Sequence, residues 1–209
     1  MRNKAINKEL QDSLTPNDVL KDLLKGNERF TNNELENVSH LDLVQETITG
    51  QYPKAVVLSC IDSRVPVEQV FDQAIGDVFV ARVAGNFENT DILGSIEYAC
   101  AVAGSKLIFV LGHESCGAVK AACDGVELGN ITSMLANISP AVEKSSTEVE
   151  GEKNSSNKDF VAKTVENNVL LTMDRIREKS EILANLLDEN KINIVGGVYS
   201  LSTGKVNMV

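Results

Sequence analysis

The sequence contains no tryptophan, only two histidines and four cysteines, and aromatic residues make up 4% of its 209 positions. Four cysteines are too few for a secreted scaffold stapled by disulfides, and they form no cluster in the sequence. A reduced setting fits better, with each thiol free for another use. No apolar run approaches the ~18 residues that a membrane-spanning helix needs. The first ten residues, Met1 to Leu10, lack the apolar centre of a secretory signal. The expectation is therefore a cytoplasmic protein. Basic side chains are also short: 20 Lys and Arg face 30 Asp and Glu, a net charge of −10. That balance argues against nucleic acid and against an anionic membrane as partners. A small-molecule substrate stays open, because a site can be locally positive on an acidic protein. There are no internal repeats.

What is present suffices for one core. An apolar fraction of 43% over this length can bury a core without staples, and residues 1–209 read as a single domain. Thr15, Pro16 and Asp18 form a cap and first turn for a helix over 15–31, with Val19, Leu20, Leu23 and Leu24 as its stripe. Residues 1–14 are polar and would need a partner surface to be ordered. A second helix over 40–49 stops at Gly50 and Pro53. Strands are predicted over 54–59, 78–83 and 107–111, alternating with helices that begin at Pro66, at Asn89 or Thr90, and at Ser115. Further helices follow over 130–143, 159–179 and 180–189, with a charged, Ser-rich exposed stretch over 143–158. Strands over 192–199 and 205–208 close the chain around Ser202-Thr203-Gly204. Alternation of this kind implies an α/β fold, a mostly parallel central sheet with flanking helices. In that class, sites lie at the carboxyl ends of strands.

The chemistry gathers at two such ends. Residues 55–64, Ala-Val-Val-Leu-Ser-Cys-Ile-Asp-Ser-Arg, run from a buried strand into Cys60, Asp62 and Arg64. If the chain stays extended there, period 2 puts the three on one side. Alone, the stretch fits a buried cysteine and a surface ion pair equally well. His113 and Cys116 form a His-x-x-Cys pair at the end of another strand, and alone they too fit a core histidine and an inert thiol. Together, Cys60, His113 and Cys116 are three nitrogen and sulfur donors, the pattern of a catalytic zinc site that keeps one position open. Cys116 falls in the first turn of a helix, where free N–H groups favour a thiolate, and Gly117 lets backbone approach closely. Asp62 has two available jobs, as a fourth ligand or as the acceptor of a hydrogen bond from a zinc-bound water. Two thiolates already balance Zn²⁺, and Arg64 can fork onto Asp62 and hold it off the metal. Thiolates quench Lewis acidity, so the fall in the water's pKa should be smaller than in a three-histidine site. Cys100, Cys123 and His40 have no partner pattern and are assigned no role.

Cys60-x-Asp62-x-Arg64 followed by His113-x-x-Cys116 resembles the signature of the β-class carbonic anhydrases. Gly50-Gln51-x-Pro53, Gly76-Asp77-x-Phe79-x-x-Arg82, Ile96-Glu97-Tyr98-Ala99 and Gly112-His113 through Cys116-Gly117 are similar too. The likeness spans about 15–205. It implies one zinc ion per chain on Cys60, His113 and Cys116, and an Asp62–Arg64 dyad. It further implies attack of zinc-bound hydroxide on CO₂ to give bicarbonate and a proton. A homodimer or homotetramer is implied, with the helical arm of residues 1–31 lying across the partner subunit. Gln51 would donate to bicarbonate across the dimer interface, and Phe79 and Tyr98 match positions lining a small apolar pocket. Two departures stand out. Some members carry an inhibitory bicarbonate site made of a Trp, an Arg and a Tyr; Arg82 and Tyr199 match, but Val57 stands in the Trp position. That site should be absent or crippled and the enzyme open at neutral pH, with water as the fourth ligand. Ala84 stands where many relatives have a larger apolar residue, which leaves room for a rival substrate such as carbonyl sulfide or carbon disulfide. A non-catalytic zinc-binding protein is the other alternative, and loss of Asp62 or Arg64 would have been its mark.

Overall fold

The apolar runs become a five-stranded sheet: β1 (Ala55–Ser59), β2 (Val78–Arg82), β3 (Leu107–His113), β4 (Asn193–Tyr199) and β5 (Val206–Met208). All 209 residues are described by the structure, a computed structural model. The strand order is β2-β1-β3-β4-β5, parallel through the first four, with β5 antiparallel at one edge. Every residue of β1 and β3 is buried. Their unbroken Val, Leu, Ile and Phe content needs cover on both faces, which only central strands receive. Ten helices supply the cover: α1 (Lys8–Ser13), α2 (Pro16–Thr31), α3 (His40–Glu46), α4 (Val67–Val70), α5 (Thr90–Glu97), α6 (Gly117–Cys123), α7 (Gly129–Leu135), α8 (Ser139–Glu148), α9 (Lys158–Lys179) and α10 (Glu181–Asp188). None is long and apolar enough to cross a membrane.

Side-chain alternation divides β1 between two cores. Ala55 and Val57 pack with Phe71, Phe109 and the α2 residues Val19 and Leu23. Val56 and Leu58 face the other way, onto Ile96, Val169, Ile176 and Leu183. A third cluster joins Phe87, Val119, Ile138, Phe160 and Val165 beyond the strand ends, and it takes in Cys60 and Cys116. Helix α9 lies tight on the sheet. A Cβ on Gly112 would sit 2.7 Å from Val169 Cγ2, so only glycine permits this approach beside His113. The expected caps form: Thr15 and Asp18 make the reciprocal box of α2, and Asn89 accepts from the Ile92 amide. Beyond α5 the helix widens into one π-type turn, Tyr98–Val102, before Gly104 closes it at φ +85°.

Two expectations need correction. The helix read over 130–143 is two helices, because Pro140 lacks the N–H that a helix interior requires and opens α8 instead. Helix α8 then runs on to Glu148, which shortens the exposed stretch. Residues 1–31 do not need a partner subunit to find a packing surface. Val19 and Leu23 are fully buried in this chain, and so is Gln11, whose Nε2 donates to the Pro53 and Ala103 carbonyls, each at 2.9 Å. Arg2 forks onto the buried Asp77 at 2.8 and 2.6 Å.

If α2 belongs to its own chain's core, Leu23→Ala should destabilise the protein by ~2–5 kcal/mol in urea denaturation. A loss below ~1 kcal/mol would place Leu23 outside that core.

Candidate metal centre

The register of β1 and β3 sets the site. Ser59 lies opposite Leu111, so Cys60 leaves β1 beside the last residues of β3, where His113 ends the strand. The chain then turns through Glu114 and Ser115, the latter at φ +53°, and Cys116 stands immediately before α6. This left-handed residue between two donors is strain of the kind found at functional sites. The Glu114 amide donates to the Tyr199 carbonyl at 2.9 Å, and its carboxylate accepts from the Leu201 amide at 2.9 Å. The turn is thereby tied to the end of β4.

Three donors meet there. The Cys60 and Cys116 sulfurs are 3.9 Å apart, and with a ring nitrogen of His113 all donor atoms lie within 4.8 Å of one another, each residue buried. His113 Nδ1 is 2.9 Å from the Glu114 carbonyl oxygen. A carbonyl only accepts, so Nδ1 carries a proton, and in the neutral ring Nε2 is the nitrogen with the free lone pair. That Nε2 is buried and has no partner in the protein. A lone pair stranded in this way costs ~1–3 kcal/mol, and a metal ion is the occupant that two sulfurs and a nitrogen fit. Sulfurs ~2.3 Å from a tetrahedral zinc would stand ~3.8 Å apart. The two thiols act on one another in opposite directions. Cys60 is pulled down, first by the hydrogen bond from Cys116 and then by its contacts with His113 and the Gly85 amide. Cys116 is pushed up by the same partner and by burial, although the Val119 and Ala118 amides of α6 favour its thiolate.

Asp62 sits over this cluster. Its Oδ2 is 3.8 Å from His113 Nε2, too far for a hydrogen bond. Arg64 forks onto it, Nε to Oδ1 at 2.9 Å and Nη2 to Oδ2 at 2.7 Å, and the Arg64 amide adds a third bond at 2.9 Å. The guanidinium hydrogen bond foremost holds the Asp62 carboxyl well below the usual carboxylate range. Arg82 braces the same segment from β2, donating to the Cys60 carbonyl at 2.8 Å and the Asp62 carbonyl at 2.7 Å. The Gly85 amide donates to the Cys60 sulfur at 3.3 Å.

The structure thus brings together Cys60, Asp62, Arg64, His113 and Cys116. Gln51, Phe79 and Tyr98 lie apart from them in the same chain. Gln51 precedes β1, so the whole strand separates it from Cys60. Phe79 pairs with Val56 and stacks edge-on with Tyr98, ring centres 6.2 Å apart. Gly117 opens α6 next to Cys116, but a Cβ there would meet no atom within 4 Å, so crowding within the chain does not demand glycine. Ala84 is half-buried. Cys100 is buried and pushed up to about 12 by burial, and the Cys123 thiol is pushed up for the same reason. Neither joins the cluster. Reading the sequence missed Arg82 as a brace and Gly85 as a donor. Gly85-Asn86 after a strand signals a turn, but not where its amide points.

Two buried thiols and a buried imidazole nitrogen, with a carboxylate beside them, form a cluster that could hold a metal ion, the donor set of a candidate metalloprotein. Known relatives narrow that class. The family model for carbonic anhydrase matches residues 55–206. Carbonic anhydrase 2 of Mycobacterium tuberculosis is 37% identical over 193 residues, 88% of each chain. The Coccomyxa β-carbonic anhydrase solved with acetazolamide superposes with a TM-score of 0.71 at 27% identity, over 79% of this chain and 75% of that one. A tetrameric β-carbonic anhydrase of the filamentous ascomycete Sordaria macrospora gives 0.68 at 26% identity, over 77% of this chain and 82% of its own. The chain belongs to the carbonic anhydrase family, in its β class, and is an enzyme of that family.

Removing the guanidinium should release the carboxyl. In Arg64→Met the Asp62 pKa should rise toward the ordinary carboxylate value, read by carboxyl NMR titration. The folded pKa lies below the unfolded one, so the pair stabilises the fold above ~pH 4 and that stabilisation is lost on acidification. An Asp62 titration that does not move would assign its low pKa to something other than Arg64.

Proposed function

We propose that the chain interconverts CO₂ and bicarbonate with one zinc ion on Cys60, His113 and Cys116. The observation that carries this is His113 Nε2, buried without a partner beside two sulfurs 3.9 Å apart. When bound, zinc lowers the pKa of a coordinated water toward ~7 and so supplies a nucleophile at neutral pH. Asp62 and Arg64 act on that water as a dyad. Asp62, kept ionised by the Arg64 fork, would accept a hydrogen bond from a water held at the metal and so orient it toward substrate. The fork also keeps Asp62 from becoming a fourth ligand, which would make a site with two thiolates net negative.

Substrate is held by a second copy of the chain in this reading. β2 is an edge strand, and Tyr98, 55% exposed, stands beside Phe79 on that side of the sheet. Ile48 and Ile75 line a shallow hollow with Gln51 nearby. Residues placed this far from their own chain's cluster can serve a neighbouring one, and the Sordaria relative is tetrameric. Phe79 and Tyr98 then present an apolar wall to linear, uncharged CO₂, and Gln51 donates to bicarbonate. Gly117 keeps the space beside Cys116 free of a side chain.

The inhibitory bicarbonate site is absent in this reading. Val57 offers no donor and is fully buried against Phe109, and Arg82 already spends two donors on the Cys60 and Asp62 carbonyls.

Asp62→Asn should keep its zinc and lose at least ~100-fold in hydration rate, measured by stopped flow; unchanged turnover would remove the orienting role. Cys60→Ser should lose zinc on dialysis against a chelator, and full retention would take Cys60 out of the ligand set. Zinc-edge absorption of the wild type should show two sulfurs and an oxygen of water from pH 7 upward. A carboxylate ligand at pH 7 would mean that the site closes after all.

A further inference from the structure

We propose that Asn168 is a positioning residue of the metal centre: through the Gly85 peptide it holds a backbone amide on the Cys60 sulfur. This rests on the zinc reading above. After β2 the chain turns through two left-handed residues in succession, Gly85 at φ +88° and Asn86 at φ +44°. Gly85 donates its N–H to Cys60 Sγ at 3.3 Å and offers its carbonyl to Asn168 Nδ2 at 2.7 Å. The two bonds flank one Cα. Glycine has the widest backbone freedom of any residue, so the aim of its amide depends on how the next peptide is held. The Asn86 N–H of that peptide donates to the Val83 carbonyl at 3.0 Å, and Asn168 grips its carbonyl from the other side.

Asn168 is a costly residue for mere filling. It is 1% exposed, and its Oδ1 has no partner. An apolar side chain of similar volume would avoid that stranded oxygen. The Nδ2 bond to Gly85 is the one interaction its carboxamide makes. The same face of α9 grips the loop again, since Arg175 Nε and Lys179 Nζ both bond the Glu88 carboxylate at 2.8 Å. Residues 168, 172, 175 and 179 follow helical spacing, and the Thr172 hydroxyl accepts from Arg175 at 3.2 Å. Helix α9 thus clamps residues 85–88 at both ends.

An N–H directed at a thiolate withdraws charge from it, and partners of metal ligands tune the metal as well as orient it. With two thiolates in the set, that withdrawal keeps the metal acidic and fixes the position of Cys60.

The test compares Asn168→Leu and Asn168→Ser with Asn167→Leu. Asn167 is equally buried but bonds Ser145 Oγ at 2.9 Å and the Glu148 carboxylate at 2.8 Å, away from the loop. The proteins are loaded with a spin-active cadmium isotope, and NMR reads the scalar coupling between metal and Gly85 amide proton; chelator competition reads zinc affinity. Wild type and Asn167→Leu should show the coupling. Both Asn168 variants should lose it and bind zinc ~10–100-fold more weakly. If Asn168→Leu fails to fold, the smaller Asn168→Ser carries the comparison. Coupling and affinity that persist in an Asn168 variant, or that fall equally in Asn167→Leu, would overturn the proposal. A wild type that binds cadmium without coupling to Gly85 overturns it alone; one that binds no cadmium overturns the zinc reading with it.

Discussion

The register between β1 and β3 is the constraint on which the rest depends. These strands are adjacent and parallel, and with Ser59 opposite Leu111 the chain delivers Cys60 and His113 to one edge of the sheet. A slip of one residue would turn His113 to the opposite face and separate the donors. The slip is opposed by the two cores, since alternate residues of β1 fill different ones and both are fully buried. The tight seat of α9 over Gly112 adds a second lock, because only a residue without a side chain passes beneath Val169. The meeting of the three donors at the strand ends thus depends on packing several residues away.

Charge at the site is arranged so that little of it stays uncompensated. Two thiols and an imidazole are buried together, and the contact between the sulfurs pulls the Cys60 thiol down while it pushes the Cys116 thiol up. A divalent ion held there would balance the charge of two thiolates. Asp62 adds a negative group at the mouth, but Arg64 neutralises it, with the guanidinium half in solvent and the carboxylate largely covered. The pair contributes direction and hydrogen-bonding capacity without adding net charge. On an acidic chain this matters, because an unpaired carboxylate beside two sulfurs would repel any anionic ligand.

Much of this was legible in the sequence, and the limits have physical causes. Cys60, His113 and Cys116 could be placed because apolar runs mark strand ends, and strand ends are where α/β folds put their sites. Asp62 and Arg64 were legible because a carboxylate and a guanidinium two residues apart can pair locally. The braces were not. Arg82 and Gly85 act through backbone atoms of another segment, and residue type says nothing about which carbonyl or sulfur lies opposite. Asn168 reads as a polar interruption in a helix until the loop beneath it is seen. The amino-terminal residues were misjudged because Gln11 looks like a surface residue and is buried by two carbonyls that arrive from distant loops. The break at Pro140 was legible in principle, but the run of helix-compatible residues on both sides outweighed it.

The proposed openness of the site follows from the same packing. Val57 lies between Val80 and Phe109 in the sheet register, with no exposed surface, and Phe109 in turn meets Phe71 at a ring separation of 5.0 Å. An indole at position 57 would overfill that layer and force its neighbours off their rotamers. Arg82, which the resemblance would match to an inhibitory anion site, donates to the carbonyls of Cys60 and Asp62 and so steadies the segment that carries both. Releasing it to bind an anion would loosen that segment at the moment of inhibition. In a chain built this way, a steady metal-facing segment and a working inhibitory site compete for the same arginine. In the proposed reading, the valine in the core tips that competition toward a steady segment rather than an anion site.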